Sequence, residues 1–105
     1  MSFQVIFSRE AAEDLERLFD HLLDRKLRSP TGDLDIPARA IEAIEQACQL
    51  LAHSPFSCRK AGASALVREL IITFGHSGYV ALFEIRDGQQ VVIGAVRHQY
   101  ESDYH

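Results

Sequence analysis

The chain has 105 residues, the length of one domain with a single hydrophobic core. Its apolar fraction of 47% and charged fraction of 25% are typical of a globular protein, and no apolar run approaches the roughly 18 residues that a membrane-spanning helix needs. The formal net charge of −4 disfavours a protein that binds nucleic acid through overall positive charge.

The N-terminus and the cysteines indicate the compartment. The opening residues, MSFQVIFSRE, have neither the basic lead nor the cleavage site of a secretory signal, so we expect a cytoplasmic protein. Cys48 and Cys58 lack the CxxC spacing of zinc sites and are too few for a disulfide scaffold. We expect both to be small core residues or free thiols.

A strand and a helix are predicted at the start of the chain. Phe3 to Phe7 alternate in the period of two that is typical of a strand with one buried face. Ser8 then stands where an N-cap hydroxyl would, and apolar side chains recur at spacings of three and four from Ala11 to Leu22. This pattern predicts an amphipathic helix in REAAEDLERLFDHLLDRKLR.

A second helix is predicted after a short break. Residues 29–33, SPTGD, contain a proline and a glycine and predict a loop. The next helix should begin near Asp35, with Pro37 in its first turn, and should end before Pro55. The two helices then form a helical hairpin whose apolar stripes need a common partner.

The second half of the chain predicts a strand meander from Leu66 to Tyr104. Its apolar runs are separated by residues 75–78, GHSG, and by Asp87-Gly88, the pair that a two-residue type I′ hairpin turn prefers. Residues 55–66 are predicted to form an ordered loop. The whole pattern predicts an α+β fold of one domain, residues 1–105, in which an N-terminal strand and a helical hairpin pack on a twisted, mainly antiparallel four-stranded sheet.

The polar tail after the last predicted strand is the first candidate site. His98 could act as a general acid or base near neutral pH, Tyr104 could hold a reacting hydroxyl or phosphate oxygen, and Arg97 could neutralise phosphate charge. Together these groups suit cleavage of a phosphodiester. The alternative is structural, with Arg97 and His98 at a solvated strand end and the tyrosine rings of the tail packed over the sheet edge.

Further cations lie in or beside the meander. Arg68 stands next to Glu69 in an otherwise apolar strand, and this placement fits an ion pair to a helix carboxylate as well as it fits a functional arginine. Arg86 follows the second strand, and Lys60 belongs to a basic pair in the preceding loop, where a solvated surface position is the usual outcome. The sequence contains no nucleotide-binding glycine loop and no metal-ligand spacing, so no cofactor or metal is expected.

The order of elements and several short motifs resemble the RelE/ParE superfamily of bacterial type II toxins. The motifs are FSREAAEDL at Phe7–Leu15, VREL at Val67–Leu70, YVALFEI at Tyr79–Ile85, the Asp87-Gly88 turn, and VRH at Val96–His98. Each is weak alone, but their order and spacing span nearly the whole chain. The resemblance implies a small α+β toxin that inhibits growth and is neutralised by a cognate antitoxin, whose C-terminal segment folds as it wraps the toxin, so that the toxin oligomerises through the antitoxin complex.

The resemblance leaves two targets open. In the ribosome-dependent mRNA endonucleases, a basic residue at the end of the last strand is followed six positions later by a tyrosine, and His98 and Tyr104 match that spacing. Arg68 and Arg86 would supply charge in this branch. Tyr100, however, stands where many of these nucleases have an arginine.

The ParE-like branch, which inhibits DNA gyrase through surface contacts, is therefore favoured, also because of the acidic net charge. In that branch Arg86, Arg97, Tyr100 and Lys60 are the candidate contacts with the target or the antitoxin. A third possibility is a non-toxic relative with a binding or autoregulatory role.

Overall fold

The computed structural model describes residues 2–29 and 33–100. They form two α-helices and five strands, with short 3-10 turns at Leu50–Ala52 and Pro55–Ser57. The helices are α1 (Arg9–Arg28) and α2 (Ile36–Gln49). The strands are β1 (Gln4–Phe7), β2 (Arg59–Lys60), β3 (Val67–Phe74), β4 (Ser77–Arg86) and β5 (Gln90–His98).

The strands form one mixed sheet in the order β1-β5-β4-β3-β2. β1 is parallel to β5, and the other neighbours are antiparallel. The α+β class is confirmed, but the sheet has five strands, not four. The additional strand, β2, lies in the segment predicted as a loop; its two exposed residues pair with Arg68 and Glu69 and carry none of the apolar alternation by which strands are recognised.

Helix α1 begins where the sequence predicts. The Ser8 hydroxyl accepts a hydrogen bond from the backbone N–H of Ala11 at 3.1 Å, which satisfies one of the donors left open at a helix start. Arg25, Lys26 and Arg28 lie in the last turn, where positive charge opposes the negative end of the helix dipole. Helix α2 has Asp35 at its N-cap and a proline in its first turn, as expected.

Both helices cover the same face of the sheet, and the core lies between the two layers. α1 contacts β5, α2 contacts β3, and the helices contact each other. The largest fully buried side chains come from both layers, among them Phe83 and Ile93 from the sheet and Ile44 and Cys48 from α2. Within residues 2–29 and 33–100, neither helix is long and apolar enough to span a membrane.

The two hairpin links differ from each other. β3 and β4 are joined by Gly75-His76, and Gly75 has a φ of +60°, a conformation that glycine adopts without steric cost. β4 and β5 are joined by three residues instead of the expected two-residue turn, because Arg86 pairs with Gln90. Gly88 and Gln89 both have positive φ there, at 76° and 62°. The Asp-Gly pair thus predicted the position of the hairpin but not its length.

Candidate functional site

Side chains of α1 bind the edge of β5 beyond the point where β1 ends. β1 pairs with β5 only as far as Phe7 opposite Ile93. After that point the Asp14 carboxylate accepts the backbone N–H of Val96 at 2.8 Å, and longer contacts run from the Ser8 hydroxyl and the Arg17 guanidinium to β5 carbonyls. The helix therefore replaces a strand partner along this edge.

This attachment places one face of α1 against the end of β5. Arg17, His21 and Arg25 follow each other at i, i+4 and i+8, so they lie on one helical stripe with a rise of about 6 Å between neighbours. The stripe forms one wall of a cleft of about 520 Å³. The cleft is lined by Arg17, Leu18, His21, Leu22, Arg25, Ser77, Tyr79, His98 and Tyr100.

Aromatic rings form the opposite wall. Tyr79 and His98 are directly paired across β4 and β5, and their rings meet edge to face with centroids 5.6 Å apart. The Tyr100 ring lies 5.2 Å from the His98 ring, and the two ring planes are tilted by 44°. The backbone N–H of Tyr100 donates to His98 Nδ1 at 3.3 Å, so in the neutral imidazole the proton is on Nε2. His98 is thus held in a fixed orientation within the cleft.

Tyr79 is the cleft residue with a perturbed ionisation. Its side chain is 2% exposed, and burial raises the pKa of its phenol because the ionised form would lose hydration. The positive charge of Arg25 acts in the opposite direction on the same pKa. Near neutral pH the Tyr79 hydroxyl is therefore protonated and is available as a hydrogen-bond donor.

Arg68 does not lie near His98. It pairs with Phe83, whereas His98 pairs with Tyr79, four residues earlier on the same strand and hence about 13 Å away along it. Its guanidinium donates to three backbone carbonyls, those of Phe56 at 3.0 Å, Cys58 at 2.6 Å and Ala65 at 2.8 Å. It also lies over the Phe56 ring, 5.3 Å from the centroid. Its described partners are backbone carbonyls, not the helix carboxylate considered from the sequence.

Arg97 belongs to the opposite face of the sheet. Its guanidinium is 4.0 Å from one carboxylate oxygen of Glu69, whose other oxygen pairs with Arg59 at 3.2 Å. Arg97 also donates to the backbone carbonyls of His98 and Gln99. Arg59 of β2, Glu69 of β3 and Arg97 of β5 thus form one ion-pair group that crosses the sheet on the side away from the helices.

The other predicted site residues are dispersed. Arg86 lies at the far end of β4 and forms an ion pair with Glu84. Lys60 lies on the edge strand β2, opposite Arg68. Tyr104 falls outside the residues that the structure describes. The cleft therefore contains two of the predicted residues, His98 and Tyr100, and their functional roles stay predictions.

Four cleft residues were not singled out from the sequence: Arg17, His21, Arg25 and Tyr79. A signal for the first three was present, since basic residues recurred at intervals of four on a predicted helix. What the sequence lacked was the register of that helix on the sheet, which the contacts of Asp14 and Ser8 with β5 determine. No cluster of His, Cys, Asp and Glu within residues 2–29 and 33–100 could hold a metal ion.

The helical hairpin packs on one face of the sheet, and a cleft of cations and aromatic rings lies at the end of the last strand. This is a small α+β domain of the type that the RelE/ParE resemblance implied. The family model described as "ParE toxin of type II toxin-antitoxin system, parDE" matches residues 5–102. The chain therefore belongs to the ParE toxin family of type II toxin–antitoxin systems.

A solved structure has the same fold. It is described as the chromosomal ParDE toxin–antitoxin system from P. aeruginosa, and the match covers 92% of this chain and 96% of that chain, with a TM-score of 0.66 and 20% sequence identity. Comparison with curated proteins finds no match.

Proposed function

We propose that this protein is the toxin of a toxin–antitoxin pair, that a cognate antitoxin neutralises it by binding, and that it arrests growth by inhibiting DNA gyrase. Membership of the ParE family supports the first part of the proposal. The ParDE system that the chain resembles in fold pairs a toxin with an antitoxin, which supports the second. Gyrase is the target that the resemblance of the sequence to the ParE-like branch implies.

The observation that carries the preference for gyrase is the position of Arg68. In the nuclease hypothesis Arg68 supplies positive charge at His98, but its guanidinium is bound by the carbonyls of Phe56, Cys58 and Ala65, remote from the cleft. Arg86 is separated from His98 by most of the length of β4. A toxin that acts by surface contact does not need these groups together.

The direct test is gyrase-driven supercoiling in the presence of the purified toxin. Inhibition that increases with toxin concentration, and that an equimolar amount of the antitoxin encoded beside it reverses, is the expected result. Full supercoiling at excess toxin would exclude gyrase as the target. Reversal by the antitoxin tests the partnership independently of the target.

A second candidate function is mRNA cleavage, and one observation favours it. His98 lies in a cleft with three other basic side chains, Arg17, His21 and Arg25, which could stabilise the charge that develops on a phosphodiester. In this case His98→Ala abolishes transcript cleavage at ribosomes and relieves growth arrest, whereas Arg28→Ala, an exposed change on the same helix, does neither. Unchanged growth arrest in His98→Ala excludes the nuclease.

A further inference from the structure

We propose that two copies of this chain associate through the outer edge of β3, in an antiparallel pairing about a twofold axis at Ile72. The pairing joins two five-stranded sheets into one continuous sheet. It depends neither on gyrase nor on the proposed antitoxin, because it uses only backbone groups of β3 and the side chains beside them.

The short strand β2 covers only the first part of β3. Its two residues pair with Arg68 and Glu69, whereas β3 continues to Phe74. Since β2 is the last strand in the sheet order, residues 70–74 lie at the edge of the sheet. Their sequence, LIITF, contains neither a charged residue nor a proline, the residues by which proteins commonly protect an edge. This part of β3 is therefore open to another strand.

Two backbone hydrogen bonds establish the direction in which the groups of β3 point. The carbonyl of Leu66 accepts the N–H of Ile85 on β4, and the carbonyl of Val67 accepts the N–H of Ala61, which follows β2. These directions alternate along an antiparallel strand. The N–H and C=O groups of even-numbered residues in β3 therefore point to β4, and those of odd-numbered residues point to the outer edge.

Ile71 and Thr73 are the odd-numbered positions of β3 that β2 does not reach. Within residues 2–29 and 33–100, no hydrogen bond is made by their outward N–H and C=O groups. Their side chains lie on the sheet face away from the helices, since Leu70 and Ile72 between them belong to the core. Ile71 is 48% exposed there. Four backbone groups and an apolar side chain are thus available to an incoming strand.

A second copy fits this edge because it presents the same pattern of open groups. With a twofold axis at Ile72, Ile71 of each copy lies opposite Thr73 of the other, and all four open groups of each chain are paired. An axis at Ile71 would instead place Thr73 opposite Glu69, which already pairs with β2. The open groups therefore determine one register.

The turn after β3 leaves room for this register. Leu70 of one copy lies opposite Phe74 of the other, and these are the last paired residues. After Phe74 the chain turns back through Gly75 to β4, away from the second copy. It therefore does not meet Arg59, which occupies the position opposite Glu69.

The charges beside the edge are compatible with the twofold arrangement. Arg59 and Lys60 of β2 are both exposed, and Arg59 pairs with Glu69, three residues from the axis. The basic pairs of the two copies are then separated by about 20 Å along the strands. This distance exceeds the Debye length of about 8 Å at physiological salt, so their repulsion is screened. Because both copies use the same edge, the contact closes as a dimer and does not extend into a fibre.

The size of the contact indicates a weak dimer. Five paired residues span about 17 Å, and a single pair of strands of this length buries less than the roughly 800 Å² per partner of a stable interface. We expect a dissociation constant of about 10⁻⁴ M.

The first experiment is analytical ultracentrifugation of the full-length chain at a series of concentrations. The average mass should rise from that of the monomer towards twice that value. Ile71→Lys should weaken association about tenfold or more, because it places two like charges in one small interface. Leu50→Lys is the matched control, since Leu50 is 67% exposed and lies in a 3-10 turn outside β3. Monomer mass up to about 10⁻³ M, or equal association of the two lysine variants, overturns the proposal.

A proline at Thr73 tests the backbone contact itself. The N–H of Thr73 points outwards, so Thr73→Pro removes a donor of the interface without removing a bond to β4. Thr73→Val keeps the N–H and should associate as the wild type does. Circular dichroism establishes that each variant is folded. A folded Thr73→Pro variant that associates as strongly as the wild type would contradict the pairing, and if this variant does not fold, Ile71→Lys decides the question.

Amide hydrogen exchange followed by NMR tests the register and the identity of the partner. The N–H groups of Ile71 and Thr73 should exchange severalfold more slowly at about 10⁻³ M than at about 10⁻⁵ M, whereas those of Leu70 and Ile72 should be protected at both concentrations. Slowing at Ile71 alone would exclude an axis at Ile72. Slowing of both groups only after the antitoxin is added would show that a strand of the antitoxin fills the edge, and would overturn pairing with a second copy.

Discussion

The backbone N–H of Val96 on β5 donates to the Asp14 carboxylate on α1 at 2.8 Å, and this bond joins residues 82 positions apart. Asp14 is the one charged side chain that is buried in the described part of the chain, at 6% exposure. Because β1 ends before this part of β5, the carboxylate occupies the place of a missing strand. The bond attaches α1 to β5 two residues before His98, which lines the cleft.

Replacement of Asp14 by alanine should destabilise the fold substantially. The change leaves a buried N–H of β5 without its acceptor, and loss of a bond to a charged group costs about 1.5–3 kcal/mol. Asp14→Asn keeps an acceptor oxygen in the same position and should cost less. Urea unfolding followed by circular dichroism measures the free energy of unfolding of each variant.

The matched control for Asp14 is Glu13. It is adjacent on the same helix, its side chain is 63% exposed, and it pairs with Arg9. Glu13→Ala should change the free energy of unfolding by less than about 0.5 kcal/mol. If the Asp14 and Glu13 variants were equally stable, the bond to Val96 would contribute nothing to the attachment of α1.

The elements that could be predicted from sequence are those with a strong local signal. The Ser8 cap, the apolar stripe of α1 and the proline in the first turn of α2 all determine structure over a few residues. β2 could not be predicted, because two charged residues form a strand only by pairing with β3. The length of the β4–β5 loop is likewise determined by the pairing of Arg86 with Gln90. The Asp-Gly dipeptide is compatible with hairpin loops of more than one length.

The candidate site was predictable only in part for a similar reason. His98 and Tyr100 were found because His98 ends the last strand and Tyr100 follows two residues later. Arg17 and Arg25 reach the same cleft through the long-range bond of Asp14, for which the spacing along the chain holds no signal. Arg68 was singled out as a charge within an apolar strand, but its carbonyl partners lie in a segment without a regular pattern.

Arg68→Ala should act mainly on stability. The guanidinium joins the carbonyls of Phe56, Cys58 and Ala65, and we expect their loss to cost about 2 kcal/mol. Arg68→Lys should recover less than half of that loss, because an ammonium group cannot reproduce the planar set of donors. Thermal unfolding measures both variants. A variant with an unchanged melting temperature but no toxicity would show that Arg68 acts on the target and not on the fold.

Gly78→Ala should disrupt the β3–β4 hairpin. A Cβ at this position would lie 2.4 Å from the backbone carbonyl oxygen of Ile72, which cannot move without shifting β3. We expect a loss of about 1–3 kcal/mol, as for overpacked positions. Gly62→Ala is the control, since a Cβ there meets nothing within 4 Å. Equal melting temperatures for the two variants would contradict the close approach of the strands.

The buried thiol of Cys48 should make stability depend on pH in the alkaline range. Burial, with smaller contributions from the charges of Glu45 and Cys58, raises the pKa of Cys48 from 9.0 to about 12. The unfolded chain therefore loses this proton near pH 9, whereas the folded protein keeps it until about pH 12. Since the folded state holds the extra proton, the stabilisation is complete below pH 9 and is lost as the pH rises between these two values.

Comparing the wild type with the Cys48→Ala variant separates the contribution of the Cys48 thiol from the contributions of other groups that titrate at high pH. The variant leaves a small cavity, so it should be less stable than the wild type at pH 8. Between pH 9 and about pH 12 the wild type loses stability and the variant does not, so the difference between their free energies of unfolding should shrink. The decrease is up to about 1.4 kcal/mol per pH unit, the free energy of one proton held by the folded state alone. Urea unfolding at a series of pH values measures the difference. If the free energies of unfolding of the two proteins changed in parallel with pH, the Cys48 thiol would have the same pKa in the folded and unfolded states. Burial would then not protect the thiol from ionisation.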